Sequence, residues 1–252
     1  MKKRLVVGNW KMYVEEASEA RAFGLQLRRK ARSLSGVDVW LAPPFIFLPS
    51  VAQVLESSPV KVGAQAVSSF AEGAHTGDVS AHMLKEAGAN FAIVGHSERR
   101  IAGDTNERVR QQLERTIEAG LSAIVCIGER ERDKEGEHFE FLEAQINSAF
   151  LTFPFTLSKV VIAYEPVWAI GKRADEAMQP HDLQEMTIFI KKTLTDILGR
   201  EKASRVPILY GGSVEPENAG ALVQEGTVDG LLVGHASQNF EQFFEIIKAC
   251  KK

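Results

Sequence analysis

Eight short runs of apolar, largely β-branched residues recur along the chain. They are RLVVGNW from Arg4, VDVWLAP from Val37, VKVGAQ from Val60, NFAIVGH from Asn90, LSAIVCIG from Leu121, KVVIAYE from Lys159, RVPILYGG from Arg205 and VDGLLVG from Val228. Most are continuously apolar rather than alternating, the pattern of strands covered on both faces of a parallel sheet. Between them the apolar positions fall into a helical period. ASEARAFGLQLRRKAR puts Ala20, Phe23, Leu27 and Ala31 on one stripe, with arginines opposite. TNERVRQQLERTIEAG ends in Gly120, a good helix stop. PHDLQEMTIFIKKTLTDIL opens at Pro180 and repeats Leu183, Met186, Ile190, Leu194 and Ile197, while SQNFEQFFEIIKAC closes the chain.

Strand starts lie roughly 23 to 46 residues apart, room for one helix each, so the unit is βα repeated eight times. An open doubly wound sheet could be built from such units, but strand count and length favour a closed (β/α)8 barrel. No linker-like or low-complexity stretch divides the chain, so residues 1–252 are expected to form a single catalytic barrel domain.

Composition narrows the partners. The chain has 252 residues and a formal net charge of −3. Nothing therefore drives the whole molecule onto nucleic acid or an acidic membrane, and an anionic ligand needs a local site. No window approaches the ~20 apolar residues of a membrane span. After MKKR only Leu5, Val6 and Val7 precede Gly8, too few for a secretory signal. Cys126 and Cys250 make no disulfide framework, and no Cys/His spacing suggests a metal. A soluble, cytoplasmic protein without metal or organic cofactor is expected.

In such a barrel the loops after the strands build the site. Strand six delivers Glu165 and stops at Pro166. A carboxylate at the mouth of an apolar barrel is poorly solvated, which suits a general base, although a lone Glu there reads equally well as an ion-paired or capping residue. His96 ends strand four directly before SERR, which can begin a short helix whose free N–H groups favour a neutral imidazole. Taken alone, that histidine too would be structural. Asn9 and Lys11 follow strand one two positions apart, so in an extended chain they point the same way and can meet an oxyanion or a phosphate. YGGSV and LLVGHAS, after strands seven and eight, can form a phosphate cradle of backbone N–H groups. The rings of His75, His82, His138, His181 and His235 lack such company and read as structural or surface groups. Together, a base, a neutral electrophile, a cation and a cradle suit proton abstraction beside the carbonyl of a small phosphorylated molecule.

GNWKM, TGDVS, VGHSERR, CIGE, AYEPVWAIG, YGGSV and LLVG-AS occur in one order along the whole chain. On these motifs the sequence resembles the triosephosphate isomerase family. The resemblance implies interconversion of dihydroxyacetone phosphate and D-glyceraldehyde 3-phosphate, with a place in glycolysis and gluconeogenesis. It implies Glu165 as the base, His96 as the electrophile, Lys11 and Asn9 on the substrate, and Glu98 behind Lys11. Backbone groups at Gly171, Ser213, Gly234 and His235 would hold the phosphate. A homodimer is implied through the loop 66–79, with Thr76 reaching the partner's site.

The sequence also departs from the family. Gly171 is followed by Lys172-Arg173-Ala174-Asp175-Glu176 in place of the usual small tip, in a loop about two residues longer, a change surface loops absorb. His235 stands where a second glycine is usual, and a positive φ there would strain it. His75 and Asp78 replace a common aromatic and glutamate. The competing readings are a catalytically silent phosphate-binding barrel and a related barrel enzyme acting on another sugar phosphate.

Overall fold

The computed structural model describes residues 3–133, 135–151, 153, 157–172 and 177–251. Eight parallel strands close into a barrel in chain order: β1 (Arg4–Asn9), β2 (Val37–Ala42), β3 (Lys61–Ala64), β4 (Phe91–Val94), β5 (Ser122–Ile127), β6 (Val160–Tyr164), β7 (Ile208–Tyr210) and β8 (Gly230–Val233). Every strand falls inside one of the apolar runs. Closure comes from β1, which pairs Arg4 with Val37 on one side and Leu5 with Gly230 on the other. Strand β7 is short. Pro207 has no N–H to give to a neighbour, and pairing starts only at Ile208.

The helices are α1 (Ala17–Arg29), α2 (Leu48–Leu55), α3 (Ala81–Glu86), α4 (Ser97–Ile101), α5 (Asn106–Glu118), α6 (Glu137–Phe150), α7 (Pro180–Leu198), α8 (Arg200–Ala203), α9 (Pro216–Gln224) and α10 (Phe240–Ala249). On α1 the expected stripe of Ala20, Phe23 and Leu27 is buried. The helix stops at Arg29 and a 3₁₀ turn, Ala31–Leu34, takes over the end of the predicted segment. The side chain of Ala31 lies outside what is described. On α7, Leu183, Met186, Ile190 and Leu194 are buried and Ile197 is half-buried. Gly120 ends α5 at φ 82°, where its N–H donates to the Ile117 carbonyl and the Leu121 N–H to that of Thr116. This two-bond close satisfies the last carbonyls of the helix.

Continuous apolarity now has its reason. Leu5, Val7, Ile93, Cys126, Val161 and Leu209 fill the barrel interior. Their strand neighbours Val6, Val94, Val125, Ile162 and Ile208 face outward into the layer under the helices. Both parities are buried, so neither can be polar until a strand reaches the mouth. Among the described residues, no helix is long and apolar enough to cross a membrane.

Candidate active site

Strand parity carries the site upward. Leu5 and Val7 face inward, so the next inward position of β1 is Asn9; by the same count Val161 and Ala163 lead to Glu165, Leu209 to Gly211 and Leu232 to Gly234. All eight residues expected at the site meet there. Asn9, Lys11, His96, Glu165, Gly171, Ser213, Gly234 and His235 line one cavity of about 320 Å³.

Glu165 is 2% exposed. One carboxylate oxygen accepts the Ser97 N–H at 3.1 Å, at the first turn of α4, and the other lies 3.4 Å from His96 Nε2. His96 is the residue before that helix, and its Nδ1 accepts the Glu98 N–H at 3.2 Å. A ring whose Nδ1 accepts a backbone N–H carries its proton on Nε2, so the donor points into the cavity. The expectation of a short helix after His96 holds, and α4 fixes the tautomer. Below them the Cys126 thiol is fully buried. Burial, reinforced by the Glu165 carboxylate beside it, pushes it well above the ordinary thiol value and keeps it protonated.

Lys11 lines the same cavity. Its backbone has a positive φ of 50°, an uncommon state for a residue with a side chain. Two hydrogen bonds hold that backbone. The Lys11 N–H donates to Asn9 Oδ1 at 3.1 Å, and the Gln65 amide donates to the Lys11 carbonyl at 2.9 Å and to that of Ala42 at 3.0 Å. The ammonium meets Glu98 Oε1 at 2.6 Å. Burial tends to raise the Glu98 carboxyl, but the hydrogen bond and charge of Lys11, with a contribution from His96, outweigh this and hold it below its ordinary value. Gln65 was not visible in the sequence as a site residue. Its only signal is its place, directly after β3.

Strands β7 and β8 supply the cradle. A Cβ on Gly211 would lie 2.8 Å from Glu165 Cγ, and one on Gly212 2.2 Å from the Tyr210 hydroxyl. Only glycine leaves the carboxylate and the ring where they are. Ser213 precedes α9, and its carbonyl accepts the Asn218 side-chain amide at 3.2 Å. The Gly234 carbonyl accepts both the N–H and the hydroxyl of Ser237, at 2.9 and 2.7 Å. His235 opens a 3₁₀ turn, His235–Gln238, and is not among the positive-φ residues. The strain anticipated there is absent because the turn takes an ordinary backbone.

After Glu165 the chain makes a 3₁₀ turn, Val167–Ala169. Trp168 anchors it: the indole N–H donates to Glu129 Oε1 at 2.8 Å, and the Tyr164 hydroxyl donates to the same oxygen at 2.8 Å. The Arg132 guanidinium sits 5.7 Å from the centroid of the Trp168 ring. Glu129 is 1% exposed, a buried carboxylate under the start of the loop. CIGE pointed to this residue, but its role as an anchor for Trp168 depends on contacts between β5 and β6. Gly171 has φ 73° and, with Ile170 and Lys172, forms the edge of the cavity. The unusual stretch from Arg173 to Glu176 lies outside the described residues. The Tyr210 hydroxyl is buried, and burial pushes it well above the ordinary phenol value while the Met178 backbone opposes the rise.

The loop 66–79 leaves the barrel and folds on itself. Ser68 donates through its N–H to the Val79 carbonyl at 2.9 Å and through its hydroxyl to Asp78 at 2.6 Å. The His75 and Phe70 rings stack, centroids 3.5 Å apart and planes 7° from parallel. Thr76 is exposed at the tip, away from its own cavity.

Known proteins resemble this chain along nearly its whole length. The family model described as triosephosphate isomerase covers residues 4–250. The chain is 39% identical to the triosephosphate isomerase of Fusobacterium nucleatum over 252 residues, 99% of either chain. It is 41% identical to that of Carboxydothermus hydrogenoformans over 251 residues, 98% of this chain and 99% of the relative, and it has the same identity and coverage with the Thermus thermophilus protein.

Proposed function

The chain belongs to the triosephosphate isomerase family, and on that premise we propose that it interconverts dihydroxyacetone phosphate and D-glyceraldehyde 3-phosphate by proton transfer through an enediolate. The observation that carries the mechanism is the pairing of Glu165 with His96. A base and a neutral donor face one cavity 3.4 Å apart, so a bound carbonyl compound can meet both.

The steps follow from that arrangement. Glu165 removes a proton from the carbon beside the carbonyl while His96 Nε2–H donates to the carbonyl oxygen. The electrons of the broken C–H bond form the enediolate, and its negative oxygen faces the His96 donor and the Lys11 ammonium. Proton movement through His96 places the charge on the neighbouring oxygen. Glu165 returns its proton to the adjacent carbon, and ketose has become aldose. Asn9 shapes the Lys11 backbone and lines the cavity. Backbone N–H groups at Gly171, Ser213, Gly234 and His235 take the phosphate, whose charge suits the turn before α9. Loop 167–172 closes over the ligand, excluding water from the enediolate.

The working form is a homodimer. Exposed Met12, Ile46, Phe70 and Met83 accompany the self-ordered loop that presents Thr76, an apolar surface suited to a second copy. The family relation supports a cytoplasmic place in glycolysis and gluconeogenesis, with residues 1–252 working as one catalytic unit. A coupled assay with either triose phosphate tests the function. Turnover in both directions is expected; a chain that binds phosphate but isomerises neither substrate would instead be a silent barrel.

A further inference from the structure

The ring of His235 occupies the cavity rim where the cradle has no other side chain of its kind. It follows β8 directly and lines the same cavity as Lys11, Ser213 and Gly234. Tyr13 meets it edge to face, centroids 5.3 Å apart and planes 88° apart, which restricts where the imidazole points. Glu215, on the segment after β7, is close enough to sense its charge: burial raises that carboxyl and His235 opposes the rise.

The charges around this ring come from every neighbouring loop. Lys11 and Tyr13 follow β1, Lys172 follows β6 and Glu215 follows β7. Glu165 lines the cavity beside them, and Glu98 holds the Lys11 ammonium at 2.6 Å. Two carboxylates, Glu165 and Glu215, and two ammonium groups, Lys11 and Lys172, therefore line a pocket that must accept a dianion. Backbone N–H groups offset part of its charge. An imidazolium at 235 would give that lining an excess of positive charge; His96, the other imidazole of the cavity, already has its Nδ1 engaged by the Glu98 N–H.

We propose that the His235 side chain is an additional ligand of the phosphate pocket, a titratable cation held by Tyr13, that makes the affinity for dianions rise as pH falls. This rests on the reading of the cavity as a phosphate site. The residue is exposed, in keeping with the sequence-based view of a structural or surface group, and the proposal adds a ligand role to it. The contribution adds to the backbone N–H groups and is no part of the proton transfer.

Sulfate is the probe, because it remains a dianion throughout the range and adds no titration of its own. Its dissociation constant is measured by calorimetry from about pH 5.5 to about pH 8.5, spanning the usual imidazole range. The proteins are the unaltered chain, His235→Gln, His235→Gly, and His181→Gln as a control whose ring is 90% exposed on α7. At the acid end the unaltered chain is expected to bind sulfate about two- to fivefold more tightly than His235→Gln or His235→Gly, the scale of a partly exposed ion pair. At the alkaline end the three should converge, and His181→Gln should follow the unaltered chain throughout. A constant ratio across pH, or no sulfate binding by any of the proteins, overturns the inference. Isomerisation with a constant ratio overturns it alone. A histidine-dependent pH profile in a chain that isomerises nothing upholds it and overturns the proposed reaction.

Discussion

The side-chain amide of Gln65 donates to the backbone carbonyl of Lys11 at 2.9 Å and fixes that lysine at φ 50°. Its other hydrogen bond goes to Ala42, so β2 and the segment after β1 are tied through one group. Removing the amide leaves a strained lysine backbone free to relax, and its ammonium moves with it. Gln65→Ala is expected to lower kcat/KM about five- to thirtyfold, the equivalent of about 1–2 kcal/mol for a lost hydrogen bond and its geometry. Steady-state kinetics decide this. An unchanged kcat/KM would mean that the clamp has no bearing on the site.

The base has a tighter tolerance. Glu165→Asp keeps the charge but withdraws the carboxylate by about 1 Å, a misplacement that can cost on the order of 10²-fold in rate. The fall is expected in kcat with KM little changed, since the phosphate and Lys11 contacts remain. Full kcat in this variant would remove Glu165 from its role.

Glu98 connects the site to pH. Its carboxyl lies below the ordinary value in the folded chain, so the Lys11–Glu98 pair contributes stability above the unfolded carboxyl's range, and this is lost as pH falls through the lowered folded value. Acid unfolding of the unaltered chain should therefore show a loss below about pH 4 that Glu98→Gln lacks. At neutral pH the same variant should lose about two- to fivefold in kcat/KM, because the exposed pair orients Lys11 without touching the ligand. Matching acid profiles of the two proteins would contradict the linkage.

Deleting Ile170 to Arg173 takes Ile170, Gly171 and Lys172 out of the cavity lining and tests the proposed lid. Isomerisation should fall strongly, and enediolate left open to water should lose phosphate to give methylglyoxal. The quantity to follow is methylglyoxal formed per isomerisation turnover. An unchanged ratio with intact kcat would make this segment a static loop.

Association can be read from sedimentation at assay concentrations. A dimer is expected, and a charge placed at Thr76 should dissociate it and lower activity together. A fully active monomer of the unaltered chain would rule out a partner's contribution to the site.

The sequence was informative where burial alone dictates residue type. Both faces of each strand are covered, so all eight strands appeared as apolar runs, and Glu165 stood out as the charge that ends one of them. The helix ends were less visible: α1 stops at Arg29 because its last predicted turn tightens into 3₁₀ geometry. Least visible were relationships between strands. Gln65 resembles any polar residue after a strand, and the grip of Glu129 on Trp168 exists only because β5 and β6 are adjacent. His235 gave a misleading signal. Its replacement of a glycine suggested backbone strain, while the chain takes an ordinary turn there.

Gly211 shows how far such constraints reach. Its missing side chain is the room in which Glu165 Cγ lies, since a methyl group there would come within 2.8 Å. Drift at this position is therefore coupled to drift at another strand end: a bulkier residue at 211 is tolerable only if the carboxylate shortens or swings aside. A lineage could accumulate changes over most of the outer surface of the barrel and keep its chemistry. At these two strand ends it would have to change both residues at once, and every single intermediate would be a poorer catalyst.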